Sequence, residues 1–255
     1  MPTVERSAVS LTRAIILAAG VGSRLRPLTD DRPKCLLEVG GQTLLDRQVE
    51  TLARLGVTDI IAVIGYYGDL IRRHLGDRGR YVDNERYEQT NSLYSLWLAR
   101  DELVSGALIL NSDVLAAPAL FARLLESPAP NAILVERGER FEPEDMKVTL
   151  NGAHVLDFGK TLPPECAHGH NVGVAKFGPE GAARLARCLD QLVASGHEND
   201  WVPSAFREFA SHWPLTAVAT DGLPWIEIDY AADLTRARLE IEPAIVGSQA
   251  AVPAQ

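Results

Sequence analysis

The sequence predicts an α/β fold, a single domain in which a mixed, mainly parallel sheet is flanked by helices. Three short apolar runs carry that reading: AIILAA at 14–19, DIIAVI at 59–64 and ALIL at 107–110. Each has the length of a strand buried on both faces, and each ends at a glycine or at Asn111-Ser112-Asp113. Stretches with helical spacing lie between them. Strands that alternate with helices along half a chain build a parallel sheet.

In chain order, residues 1–12 read as a leader. Leu44, Leu45, Val49, Leu52 and Leu55 share one face of a helix that Gly56 stops. After the second strand, 70–75 are helical and Tyr81 and Val82 form a short strand. A helix over 93–103 takes Asn91 or Ser92 as its N-cap. Beyond the third strand the spacing changes, and 133–136, 146–150, 154–158 and 172–177 read as shorter strands. Pro179 opens a helix, another covers 203–210, 225–228 is a last strand and 231–241 a last helix. Residues 242–255, with Pro243, Gly247 and Pro253, read as a flexible tail, which leaves 13–241 as the domain.

Composition narrows the class. The chain has 255 residues, 46% of them hydrophobic and 23% charged, which is globular and large enough to fold without a disulfide or metal staple. Acidic residues outnumber basic ones by 34 to 25, and no lysine-rich run occurs, so nucleic acid is not an expected partner. Cys35, Cys166 and Cys188 are scattered without metal-ligand spacing, and Cys35 reads as inert packing. No apolar run reaches the ~18 residues of a membrane span. The run at 14–19 is too short for a signal peptide and is followed at once by Arg24 and Arg26. A cytoplasmic location without a membrane partner is expected.

Four segments carry chemistry. The first is LAAGVGSRLRP, residues 17–27, a strand that empties into a loop with Gly20 and Gly22. Small residues let backbone approach a ligand, successive N–H groups can wrap an anion, and Arg24 adds a fixed positive fork. No Walker lysine follows, and the third glycine of a dinucleotide fingerprint is missing. The second is Arg32-Pro33-Lys34. From Arg13 to Lys34 there are five cations (Arg13, Arg24, Arg26, Arg32, Lys34) against two acids (Asp30, Asp31), a positive stretch in a chain of net charge −9. Beside a glycine loop at a strand end, it suits a polyanion such as a triphosphate. The third is Asp113, at the strand end where open α/β sheets bind ligands, either as a ligand to Mg²⁺ or as a cap for the following helix. The fourth is Glu227-Ile-Asp229, two carboxylates on one side of a strand end, of which Asp229 is either a second metal ligand or an N-cap.

Together these segments resemble the nucleotidyltransferase family that includes the sugar-1-phosphate pyrophosphorylases, over roughly residues 13–241. Within it, NSLYSLWLAR at 91–100, Met146-Lys147-Val148, Gly159-Lys160 and Glu227-Ile-Asp229 are similar to the short cytidylyltransferases that act on phosphocholine or phosphonates. The resemblance implies a Rossmann-like nucleotidyltransferase fold, with a nucleotide-binding first half and an acceptor-binding second half. It implies that Leu17, Ala18, Ala19, Gly20, Gly22 and Ser23 hold the nucleotide, with Asn91, Ser92 and Asn84 near the base. Arg24 and Lys34 would grip the triphosphate, Lys160 the phosphoryl group of the acceptor, and Asp113 and Asp229 a Mg²⁺ cofactor. The implied partners are CTP and a small phosphorus-containing acceptor, and a homodimer is left open. The implied reaction is attack of an acceptor oxygen on the α-phosphorus, with pyrophosphate leaving. A UTP- or dTTP-dependent sugar-1-phosphate transferase and a non-catalytic nucleotide-binding regulator are the alternatives.

For the acceptor, Lys147, Lys160, His170 and Glu227 are the candidate binding residues. His168 and His170, with the two lysines, lean the site towards an acceptor with an extra negative charge, such as a carboxylated phosphonate. Asp200, Trp201 and Trp225 keep a choline- or amine-binding pocket open, although both tryptophans read first as core.

Overall fold

A computed structural model describes residues 11–250, so the expected leader before residue 11 and the last residues of the expected tail lie outside the described residues. In chain order the first half contains β1 (Arg13–Ala18), a small hairpin of β2 (Glu38–Val39) and β3 (Gln42–Thr43), α1 (Leu44–Arg54), β4 (Asp59–Ile64), α2 (Gly68–Leu75), β5 (Arg80–Asp83), α3 (Ser92–Leu98), β6 (Ala107–Asn111), β7 (Val114–Ala116) and α4 (Pro118–Glu126). The second half contains β8 (Asn131–Arg137), β9 (Lys147–Asn151), β10 (His154–Gly159), β11 (Gly169–Phe177), α5 (Pro179–Ala194), α6 (Pro203–His212), β12 (Thr216–Ala219), β13 (Trp225–Glu227), α7 (Ala231–Arg236) and α8 (Glu242–Ala250).

Among the described residues, nine strands form one sheet in the order β5-β4-β1-β6-β11-β8-β12-β10-β9. The first four are mutually parallel, as the alternating pattern of the first half requires. β11 enters antiparallel between β6 and β8, and β9 pairs with both β10 and β11, which rolls the far end of the sheet into a closed ring of strands. Alternate residues of β1 serve opposite faces. Ala14, Ile16 and Ala18 pack with Leu45, Val49, Ile71 and Phe121 of α1, α2 and α4, while Ile15 and Leu17 pack in the core that holds Leu93, Leu185 and Phe209 of α3, α5 and α6. Burial on both faces is why the run is apolar throughout.

Two local expectations differ. The helix expected over 93–103 breaks after Leu98 and continues as a 3-10 turn over Arg100–Leu103. The chain also does not fray at Glu242. A π-helical turn over Ala237–Ile241 joins α7 directly to α8, so the helix runs on through Pro243. Ile241 and Ile245, four residues apart, are buried in a third core with Leu25, Leu37, Leu115 and Ile226, and Glu242 pairs with Arg47 at 3.0 Å. That core clamps the glycine loop, the β7–β13 ribbon and the C-terminal helix together beside the site.

Candidate active site

A cleft of about 430 Å³ opens at the C-terminal edge of the parallel strands. Its floor is the loop after β1. Gly22 holds a left-handed conformation (φ 63°), and a Cβ there would stand 3.3 Å from Cβ of Lys34, so glycine is needed both for the turn and for the approach of Lys34. At Gly20 a Cβ would meet no protein atom within 4 Å, which leaves that side of the loop open. The other wall is polar and small. Asn84 is buried and donates to Thr90 Oγ1 and Ser95 Oγ, both at 3.1 Å. Asn91 caps α3 by accepting from the Ser92 N–H at 2.8 Å, and Ser92 Oγ accepts from the Val202 N–H at 3.0 Å, tying α3 to the start of α6.

The charged centre comes from three distant parts of the chain. Lys34 Nζ lies 2.7 Å from Asp113 Oδ2 and 2.7 Å from Asp229 Oδ1, and Arg24 Nη2 lies 3.2 Å from Asp229 Oδ2. Asp113 follows β6 and Asp229 follows β13. They meet because β13 runs antiparallel to β7 and the Ile228 N–H donates to the Asp113 carbonyl at 3.1 Å. Gln48, buried on α1, fixes the bend between β6 and β7 by donating to the carbonyls of Asn111 and Val114, both at 2.9 Å. Neither aspartate is a helix cap. Ala117 stands at the N-cap of α4, and Asp233 Oδ2 accepts from the backbone N–H groups of Asp229 and Tyr230 ahead of α7.

Electrostatics follow from this crowding. Burial works against the Lys34 ammonium, but Asp113 and Asp229 outweigh it and hold the amine protonated, with its pKa raised. Burial would raise Asp229, yet Lys34 and then Arg24 keep it below the usual carboxylate range. Glu227, which accepts from Asn111 Nδ2 at 3.4 Å, is pushed up to about 8 by burial and then by the charges of Asp113 and Asp229. Among the described residues, three buried side-chain oxygens have no hydrogen-bond partner, Gln48 Oε1, Asp113 Oδ1 and Asn131 Oδ1, and of these Asp113 Oδ1 belongs to the charged centre. Cys35 is buried beside Lys34, and burial pushes its thiol up to about 12, which keeps it un-ionised and inert.

Lys160 reaches the cleft from the end of β10. Its ammonium lies 4.6 Å from the centre of the Trp201 ring and 2.9 Å from Glu144 Oε2. Trp201 is 47% exposed and lines the cleft, so its reading as core is corrected. Lys147 is a second correction. It is buried, lines neither cavity, and donates from Nζ to the Lys160 carbonyl at 2.6 Å. Strand alternation gave it no sign of which face it would take.

A second cavity, about 950 Å³, lies beside the first and shares Glu144, Met146, Asn171, Glu227 and Asp229 with it. Glu136, Asp145, His170, Trp225 and Tyr230 are among its walls. His170 Nδ1 stands 4.0 Å from Asp145 Oδ2, and burial lowers its pKa despite Asp145 and Glu136, so the ring is neutral at pH 7. Trp225 Nε1 donates to Glu136 Oε2 at 3.0 Å. His168 is exposed and its Nδ1 accepts from the Leu150 N–H at 3.2 Å. The cavity's walls are acidic and aromatic, and His170 adds no positive charge to them, which removes one of the charges on which the lean towards an anionic acceptor rested. Glu144, Tyr230 and Asn171 are site residues that the sequence reading missed. Glu144 sits in a polar stretch with Gly138, Pro143 and four other charged residues, which reads only as a loop.

A parallel sheet whose strand ends converge two aspartates, a lysine and an arginine around an open glycine loop is the architecture of a nucleotidyltransferase. The chain matches the MobA-like NTP transferase domain over residues 14–191 and belongs to that family. It is 41% identical over 195 residues to the choline-phosphate cytidylyltransferase of Streptococcus pneumoniae, covering 72% of this chain and 78% of that protein. It is 27% identical over 248 residues to the CTP:phosphoglutamine cytidylyltransferase of Campylobacter jejuni, covering 87% and 97%. The solved inositol-1-phosphate CTP transferase of T. maritima shares its fold, with a TM-score of 0.75, 21% identity and coverage of 97% and 99%. The chain is thus a nucleotidyltransferase with cytidylyltransferase homologues. No helix among the described residues is long and apolar enough to cross a membrane.

Proposed function

We propose that this protein is a Mg²⁺-dependent cytidylyltransferase that joins CMP from CTP to a small phosphate or phosphonate carrying a cationic group, with release of pyrophosphate. The observation that carries the reading is the meeting of Arg24, Lys34, Asp113 and Asp229 in one cleft beside the glycine loop. An acceptor oxygen forms a bond to the α-phosphorus while the bond from that phosphorus to the bridging oxygen breaks, and pyrophosphate carries the electron pair away. The attacking oxygen is already ionised at neutral pH, so no general base is required. The obstacle is repulsion between two polyanions, and cations fixed around both remove it. Arg24 and Lys34 bind the triphosphate and neutralise the departing pyrophosphate. Lys160, held by Trp201 beneath it and by the Lys147 bond to its backbone, orients the acceptor's phosphoryl group.

The residues fit a divalent metal. Asp113 has a buried oxygen without a partner, and the gap between Asp113 and Asp229 is already spanned by a cation, the Lys34 ammonium. A hard cation held by these two carboxylates would take its remaining ligands from phosphate oxygens and water. Bound by Asp113 and Asp229, Mg²⁺ supplies charge neutralisation on the nucleotide phosphates.

The second cavity supports the acceptor class. Its carboxylates and the Trp225 and Tyr230 rings favour an ammonium or amine and disfavour a carboxylate. The test is pyrophosphate release from CTP, UTP, dTTP and GTP with Mg²⁺ and a panel of phosphocholine, 2-aminoethylphosphonate, phosphonoformate and glucose 1-phosphate. CTP with an amine-bearing acceptor should be fastest. Turnover only with a sugar phosphate, or faster with phosphonoformate, contradicts the reading.

A further inference from the structure

The segment between β8 and β9 crosses from the acidic cavity to the nucleotide cleft, and Glu144 lines both. A single oxygen, Glu144 Oε2, lies 3.2 Å from Arg24 Nη1 and 2.9 Å from Lys160 Nζ. Among the described residues, its ion pairs go to these two cations alone. They come from opposite halves of the molecule, 136 positions apart in sequence (160 − 24), and are the two groups assigned to the phosphates of the two substrates. The carboxylate side chain is 56% exposed, so little packing holds it there.

We propose that Glu144 is an internal stand-in for the acceptor's phosphoryl group, displaced when acceptor binds, and that it thereby determines which acceptors are accepted. This rests on the reading of Arg24 and Lys160 as phosphate-binding groups. A carboxylate carries one negative charge and two oxygens. A phosphomonoester or phosphonate dianion brings more charge and three oxygens to Lys160 and frees Arg24 for the triphosphate, so it wins the exchange. A carboxylic acid or a phosphodiester brings no more charge than Glu144 already supplies and gains nothing by replacing it. The occupied state also lowers apparent affinity for every anion by the fraction of molecules in which the site is free. Glu144 thus sacrifices some affinity for a filter against singly charged anions.

The test uses Glu144→Gln and, as a control on the same segment, Glu139→Gln. Glu139 is exposed, lies at neither cavity, and its substitution makes the same change in net charge. Inorganic phosphate and acetate are titrated by calorimetry into the CTP-free protein, and the acceptor KM is measured with phosphocholine and 2-aminoethylphosphonate. For Glu144→Gln, phosphate should bind about two- to fivefold more tightly, the range expected for freeing exposed charge pairs. The acceptor KM should fall by a similar factor and acetate should gain at least as much as phosphate, while Glu139→Gln changes none of these. Equal or weaker phosphate binding in Glu144→Gln overturns the proposal, and so does an equal gain in Glu139→Gln, which would reveal a general field. No measurable phosphate binding in either the wild type or Glu144→Gln overturns it too. The phosphate titration needs neither CTP nor turnover, so it judges Glu144 separately from the transferase reading.

Discussion

The two cavities are neighbours built on opposite principles. The nucleotide cleft is a strand-end site: a contiguous glycine loop, Arg24 and Lys34 from the chain that follows it, and an aspartate at the end of another parallel strand. The proposed acceptor cavity is assembled by the rolled half of the sheet from β8, the 138–146 segment, β11, β13 and α7, and its walls set seven carboxylates against one arginine, where the cleft sets four carboxylates against three cations. Asp229 and Glu227 belong to both. On the proposed reading, the difference separates the constant part of the chemistry, a triphosphate that needs cations, from the variable part, an acceptor whose far end selects its own surroundings.

The largest expected effects break the nucleotide side. Asp113→Asn and Lys34→Ala should each lower turnover by about 10²–10³-fold, the usual cost of losing one charge-stabilising group at a reacting phosphate, with far-ultraviolet circular dichroism unchanged. Near-normal pyrophosphate release from either variant would dissolve the distinction between the two cavities. A smaller effect sharpens the acceptor side. Asp145→Asn keeps the oxygen that accepts from the Glu142 N–H at 2.8 Å but removes a charge from the acidic wall. It should raise KM for an amine-bearing phosphonate about three- to tenfold and leave KM for an uncharged alkylphosphonate and for CTP unaltered. Equal shifts for both phosphonates would mean that Asp145 acts on the phosphoryl group and not on the ammonium.

How legible each region was in the sequence follows from how it is built. Strands buried on both faces declare themselves, and β4 has the bounds its apolar run gives. Arg24, Asp113 and Asp229 stood out because each lies close to the end of a strand the sequence shows, and Lys34 because it closes a basic stretch after the glycine loop. The acceptor wall was not readable, because its charges depend on which face a residue takes and on burial. Lys147 and His170 are adjacent partners across β9 and β11, yet one spends its charge on a backbone carbonyl and the other loses its charge to burial. The C-terminal helix was hidden by Pro243 and Gly247, which signal a break unless the partners of Ile241 and Ile245 are known.

The most direct test of the central claim is calorimetric titration of CTP, with and without Mg²⁺, into the wild type and the Asp113→Asn/Asp229→Asn double variant. The account predicts that Mg²⁺ tightens CTP binding to the wild type by about tenfold or more, about 1.4 kcal/mol, and has little effect on the double variant. The same Mg²⁺ enhancement in both proteins would show that the two aspartates do not hold the metal–triphosphate, and would contradict the account.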